Sequence, residues 1–221
     1  MMTAIDAPGT DRSEAEAAFD RDALQIVVVN GSPSRKSKTA GLTELMVDRV
    51  RAALAGEGLT TRTTTVDVYR LGPAFTGAVE REGIAADIDR VLRQVENADL
   101  LIAATPVFRG SYTGMFKHFF DLVDQYALAN KPVLLAATGG GEHHALVLEH
   151  ALRPLFAFFQ AMTAPVAVFA SATDFDGTIP LTPRIHGRIE TAIDDILAVL
   201  VARAGRSTQP SVVRSHLGAS T

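Results

Sequence analysis

The stretch "IVVVNGSPSRKSKTAGLTELM", Ile26 to Met46, decides how the chain is to be read. An apolar, β-branched run stops at Asn30 and Gly31. Serines, a threonine, an arginine and two lysines follow, and then a helical pattern begins. An apolar run without alternation reads as a strand buried on both faces, the habit of parallel sheets covered by helices. Hydroxyls and positive charges crowded between such a strand and a helix point to something negative. The first N–H groups of a helix lack intrahelical partners and face outward. With the helix dipole they form an anion site. Ser32, Ser37 and Thr39 add hydroxyl donors, and Arg35 adds a fork of donors that suits a phosphate. Gly31 permits close backbone approach. The loop contains neither G-x-x-x-x-G-K-[ST] nor G-x-G-x-x-G, so it is not a nucleotide-triphosphate P-loop or a dinucleotide fingerprint. The plainer alternative is a turn whose Ser and Thr cap a helix.

Short apolar runs alternate with helical patterns beyond this point. The sequence predicts strands at Leu24–Val29, Thr60–Val68, Asp99–Thr105, Pro132–Thr138 and Pro165–Ala170. It predicts helices at Thr39–Ala55, Ile84–Asn97, Thr113–Leu128, His144–Met162 and Thr182–Ala202. Five strands alternating with five helices imply an α/β fold, a doubly wound parallel sheet with helices on both faces. Such sheets bind ligands at the carboxyl ends of the strands, near the switch in strand order. That rule selects the loops after Val29, Ala104 and Ala137. Residues 1–22 and 205–221 read as flexible tails around one domain, 23–204.

The loop after the third strand, "TPVFRGSYTGMFKHFFD", turns at Pro106 and Gly110 and offers Phe108 and Tyr112 as flat apolar surface. Those two rings are equally explained as core or interface residues. The loop after the fourth strand, "TGGGEHHALVLEH", exposes backbone amides through three glycines. Such amides suit the carbonyls of a ring, or negative charge that appears on reduction. His143 and His144 are adjacent and so do not form an i, i+4 chelating pair, and no metal site is expected. A phosphate loop with two loops suited to a flat heterocycle describes flavin mononucleotide (FMN).

Composition removes several classes of function. The 221 residues are 47% apolar, which argues against disorder, and the net charge of −4 does not suggest a nucleic-acid binder. Cysteine is absent, which excludes disulfides, thiolate catalysis and zinc–thiolate sites. The acidic start lacks the basic and apolar regions of a signal peptide. The longest apolar region, "ALRPLFAFFQAMTAPVAVFA", is interrupted by Arg153, Gln160 and two prolines, too often for a membrane span. A soluble, cytoplasmic protein is expected.

The motifs "GSPSRKSKT", "ATPVFRGSYTGMFKHFFDLVDQYAL" and "LLAATGGGEHHALVLEHALRPLF" resemble the NADPH-dependent FMN reductase family, and within it the reductases that serve alkanesulfonate and methanesulfonate monooxygenases. The similarity runs from about Gln25 to Ala202. It implies a flavodoxin-like five-stranded sheet of order 2-1-3-4-5. It implies an enzyme that moves hydride from NADPH or NADH to FMN and releases reduced FMN to a flavin-dependent monooxygenase. By the resemblance, Ser32, Arg35, Ser37 and Thr39 hold the phosphate. Thr105, Pro106, Val107 and Phe108 line the isoalloxazine, and Thr138, Gly139, Gly140 and His144 contact its other edge. No side chain acts as catalytic acid or base, because the cofactor carries the chemistry. Arg109 is the candidate for reading the 2′-phosphate of NADPH. The rivals are a quinone or azo reductase with tightly bound FMN, and a flavodoxin-type electron carrier.

Pro154 lies inside a strongly apolar helical pattern, and its missing N–H deprives the His150 carbonyl of its normal partner. A proline kink or a π-bulge would accommodate this. The sulfonate-system reductases carry an inserted residue and a π-helical turn at a subunit interface in this helix, and His150 stands at the matching place. The set Phe116, Phe119, Phe120, Phe156, Phe158 and Phe159 is too large for one core, so a homodimer or homotetramer with an interface near His150 is expected.

Overall fold

The computed structural model describes residues 23–207. The sheet is wholly parallel and runs in the order β2–β1–β3–β4–β5, with β6 also paired to β4. Its strands are β1 (Leu24–Asn30), β2 (Thr61–Asp67), β3 (Leu100–Pro106), β4 (Pro132–Gly139), β5 (Met162–Thr163) and β6 (Val168–Ser171). The helices are α1 (Lys38–Gly56), α2 (Pro73–Thr76), α3 (Ala86–Glu96), α4 (Gly114–Asp121), α5 (Arg153–Phe158) and α6 (Pro183–Ser207).

Side chains of a strand alternate between faces, and the two cores follow that alternation. Val27, Val29, Leu101, Ala103, Val133 and Leu135 pack with residues of α3, α4 and α5. Ile26, Val28, Leu100, Ile102, Leu134 and Ala136 pack with α1 and α6. This is the both-sided burial expected from the unbroken apolar runs. β2, an outer strand of threonines, is only partly buried. Phe116, Phe119, Phe120, Phe156 and Phe159 are buried on the α4–α5 side, whereas Phe158 is 65% exposed.

Three expected elements differ from what is found. The helix expected over His144–Met162 is a 3-10 turn (Glu142–His144), a π-turn (Leu148–Leu152) and the short α5. In the π-turn the Arg153 N–H reaches back to the Leu148 carbonyl, five residues away. Pro154 has no N–H to offer the next rung, and Gln160, at φ 55°, closes the segment. A π-turn at His150 is therefore present.

The fifth strand expected at Pro165–Ala170 is shortened to β6, Val168–Ser171, and a separate two-residue strand, β5, precedes it. Pro165 cannot donate to the ladder, so β5 ends before it and β6 begins after it. The Arg153 guanidinium fills the gap, donating to the Thr163 hydroxyl and to the Ala164 and Pro165 carbonyls. The sheet accordingly has six strands where five were expected.

The expected helix Thr113–Leu128 stops at Asp121 and continues as turns. A hairpin absent from the reading of the sequence, β7 (Phe175–Asp176) with β8 (Ile179–Pro180), precedes α6. Residues 205–207 continue α6; the remaining expected tail residues, 1–22 and 208–221, lie outside the described residues. Among the described residues no helix is long and apolar enough to cross a membrane.

Candidate functional site

The loops after β1, β3 and β4 meet at the carboxyl edge of the sheet, joined by hydrogen bonds between them. In the first loop, Asn30 donates to Asp67 at 2.8 Å and accepts the Ser32 N–H at 3.1 Å. The Ser32 hydroxyl is buried and exchanges bonds with the Ser34 backbone. Ser37 is the N-cap of α1, accepting the Ala40 N–H at 3.0 Å. No acidic residue occupies the first turn of α1, so nothing there opposes an anion at the positive end of the dipole.

The charged residues of this loop diverge. Arg35 is exposed and lines a cleft of about 350 Å³ between α1 and β2, shared with Glu44, Asp48 and Asp67. Lys38 turns to the far side: its Nζ donates to the Ala172 carbonyl at 3.4 Å and lies 5.6 Å from the Phe175 ring centroid. Thr39 is buried, and its hydroxyl meets that of Thr138 at 2.7 Å. A residue read as a phosphate ligand and one read as a ring contact are thus bonded to each other.

In the second loop, Thr105 is fully buried. Its hydroxyl accepts the Thr113 N–H at 3.2 Å and donates to the Pro106 carbonyl at 3.0 Å. The Thr113 hydroxyl in turn donates to the Gly31 carbonyl at 3.0 Å. Thr105 therefore organises the loop from inside, its hydroxyl engaged with the backbone of the loop. Gly31 is required by closeness: a Cβ there would lie 2.9 Å from Phe116 Cδ2 and 3.0 Å from the Thr105 hydroxyl. The Val107 N–H donates to the Thr138 carbonyl at 2.8 Å, fixing the second loop to the end of β4. Phe108 and Ser111 exchange backbone bonds at 2.8 and 3.1 Å around Arg109 and Gly110, both at positive φ. That is the backbone of a tight primed turn. It presents Phe108, 48% exposed, at its base.

In the third loop, a Cβ on Gly139 would lie 2.8 Å from Phe169 Cζ and 3.2 Å from His144 Cβ, so only glycine fits. Among the described residues nothing lies within 4 Å of a Cβ added at Gly140. His144 is half-buried, and its ring centroid is 4.0 Å from that of His143. Among the described residues there is no group of three or more metal-ligating side chains.

The reading of the sequence missed a buried network beside this loop. Asp174 accepts the Ser171 N–H at 2.8 Å, the Ser171 hydroxyl at 3.0 Å and the Thr182 hydroxyl at 2.7 Å, and it pairs with Arg184. Burial alone would raise its pKa. The hydrogen bonds from Thr182 and Ser171 and the Arg184 charge outweigh burial and hold the carboxyl below its ordinary value. The signal was present: Ser171 and Asp174 have the S-x-x-D spacing of a capping box.

These residues fit a phosphate-bearing planar ring. The N-terminus of a 19-residue helix faces one end. The exposed Gly140 and the Val107–Phe108 edge lie at the neighbouring loops.

A model of the NADPH-dependent FMN reductase family matches residues 24–176. The chain is 44% identical over 175 residues to the NADH-dependent FMN reductase SfnF of Pseudomonas putida, covering 79% of this chain and 92% of that one. It is 48% identical to the NADH-dependent FMN reductase SfnE of the same species, covering 77% and 89%. It is 42% identical to an FMN reductase (NADPH) of Pseudomonas aeruginosa, with the same coverage of 77% and 89%. Among solved structures, an oxidoreductase from Corynebacterium diphtheriae superposes with a TM-score of 0.75 at 33% identity, covering 82% of this chain and 98% of that one. The apo form of the NADH:FMN oxidoreductase EmoB superposes with a TM-score of 0.68 at 32% identity, covering 80% and 90%.

Proposed function

The chain belongs to the NADPH-dependent FMN reductase family, and from that premise we propose that it reduces FMN with NADH or NADPH and passes the reduced flavin to a separate flavin-dependent monooxygenase of sulfonate metabolism. Bound FMN supplies the redox chemistry by accepting hydride. The protein binds, orients and shields. Ser32, Ser37, Thr39 and the first N–H groups of α1 hold the phosphate. Pro106, Val107 and Phe108 flank the ring on one side, and Gly139, Gly140 and His144 on the other. Thr105 and Thr138 hold these loops in place. Arg35 adds charge to the phosphate only by turning out of the α1–β2 cleft, and Arg109, at the exposed turn, is the group available to a 2′-phosphate. The whole lies in one domain, 23–204, working in the cytoplasm, where reduced dinucleotide is made.

The observation that carries this reading is the 2.7 Å contact between Thr39 and Thr138, which brings the anion-binding helix end and the glycine loop within one ligand's length. For the assembly, we propose a homodimer or homotetramer that buries the π-turn face. Support comes from a cleft of about 520 Å³ lined by Tyr112, His150, Pro154, Leu155 and Phe158. Phe158 and Leu146, 65% and 62% exposed, lie in the same segment. A second copy would remove this apolar surface from water.

The deciding experiment is NADH and NADPH oxidation with FMN varied from zero. A rate near zero without FMN that saturates on addition supports the supplier reading. A protein that purifies yellow and reduces quinones without added FMN is a reductase with resident flavin. No oxidation under any flavin supply leaves an electron carrier.

A further inference from the structure

We infer that Arg184 is a positioning residue for the flavin-binding glycine loop, gripping it through Glu142. One terminal nitrogen, Nη2, donates both to Asp174 at 2.5 Å and to Glu142 at 3.0 Å. The two carboxylates are unlike. Asp174 is buried and fixed by three further bonds from Ser171 and Thr182. Glu142, its side chain 60% exposed, is the residue that follows Gly139, Gly140 and Gly141. The anchor stands close to the loop because Ser171, on β6, is in register with Gly139 on β4.

Three consecutive glycines have no side chains to pack, and their backbone is the freest of any residue type. The loop's position is therefore set by what holds its two ends. Gly139 is held at the near end by its fit against Phe169 and His144. The far end is held by the 3-10 turn, in which the His144 and Ala145 N–H groups donate to the Gly141 and Glu142 carbonyls, and by the bond from Arg184 to the Glu142 side chain. Both carboxylates already engage the guanidinium, so it is not free to gather phosphate. It holds a loop. The inference rests on the family's chemistry at this site and names a residue that works behind it.

The test uses the full chain with Glu142→Gln, Arg184→Gln, Arg184→Lys and the double variant Glu142→Gln/Arg184→Gln. FMN dissociation is read by flavin fluorescence quenching, KM and kcat by dinucleotide oxidation, and stability by Tm. Glu142→Gln should weaken FMN about two- to five-fold, the range of a partly exposed ion pair. It should raise KM, leave kcat, and leave Tm near wild type. Arg184→Gln should weaken FMN equally and also lower Tm, because it leaves buried Asp174 without its counter-charge. Arg184→Lys should recover part of the FMN affinity. The double variant should bind FMN no worse than Arg184→Gln alone. Wild-type affinity in Glu142→Gln, or additive losses in the double variant, overturns the inference. An unmutated chain that neither binds FMN nor oxidises a dinucleotide overturns the family's chemistry along with it, and so differs from a failure confined to the variants.

Discussion

The hydroxyls of Thr39 and Thr138 lie 2.7 Å apart, joining the first turn of α1 to the end of β4. The two residues are 99 positions apart in the chain, and both are buried. A pair of hydroxyls in contact uses one proton between them and leaves the other free to point at a ligand. The contact therefore ties the start of α1, the proposed phosphate end, to the end of β4, the proposed ring end, while keeping a donor in reserve.

Breaking that pair from one side strands the other hydroxyl. Thr39→Val keeps the shape and leaves buried Thr138 without its partner, which costs about 1–3 kcal/mol. Removing both hydroxyls, Thr39→Val with Thr138→Val, removes the stranded group as well. The double variant is expected to be closer to wild type in denaturant unfolding than the sum of the singles. FMN affinity should nonetheless fall in all three variants. Additive stabilities would show that the two hydroxyls act independently.

Gly41 sets how closely the hairpin β7–β8 approaches α1. A Cβ there would lie 1.9 Å from the Thr178 carbonyl oxygen, a backbone atom that cannot swing aside. Gly41→Ala must push the hairpin or the helix outward, an overpacking expected to destabilise by about 1–3 kcal/mol. α1 begins three residues earlier at the phosphate loop, so FMN should bind more weakly too. Ala at Gly56, where nothing lies within 4 Å among the described residues, is the control and should be neutral or mildly stabilising. Equal Tm values for the two variants would contradict the close packing.

Lys131 gives the stability a pH dependence of known sign. Burial, with help from the Arg203 charge and against that of Asp99, pushes its amine from 10.5 down to about 8. Its Nζ donates to the Ala98 carbonyl. Below pH 8 both states are protonated and the full penalty for burying the charge is present. Between about pH 8 and 10.5 the unfolded chain binds more protons, so this group's contribution improves as pH rises. Lys131→Met lacks it. The Tm of wild type minus that of Lys131→Met should therefore move in favour of wild type from pH 7.5 to pH 10. A difference that stays flat across that range would refute the shift.

Most of the sheet was legible because its strands obey one rule. Leu24–Val29, Asp99–Thr105 and Pro132–Thr138 are largely apolar on both faces, and alternating with helical patterns they fit the strands of a covered parallel sheet. What failed was geometry that period alone does not encode. A 3-10 turn, a π-turn and an α-helix bury similar spacings, so His144–Met162 reads as one helix although three kinds of turn compose it. β5, two residues long, is too short for any pattern. The hairpin turns at Gly177–Thr178 with Gly177 at φ 59°, but its strands of two residues gave no flanking alternation. Within the site, the loops were found from the sequence but the partners were not. That Thr105 braces its loop from inside was not legible, since burial of a hydroxyl depends on Thr113 and Gly31, distant in sequence or folded over it.

His150 offers the sharpest test of what the π-turn does. A π-turn carries one residue more than the α-helical register needs, and such bulges concentrate at functional sites. Deleting His150 should let Leu148–Phe158 close into regular helix up to Pro154, without loss of the Phe120–Phe156 contact that holds the segment to the core, now 4.9 Å between ring centroids. If the bulge shapes a face between subunits and keeps FMN exchangeable, the deletion variant should purify with more bound flavin. It should also transfer less reduced FMN to a monooxygenase and show a smaller assembly by light scattering. Replacement by Ala retains the extra residue and should keep the wild-type assembly and exchange. Should the deletion leave FMN affinity, turnover and assembly all unchanged, the π-turn is only the fold's way of admitting Pro154.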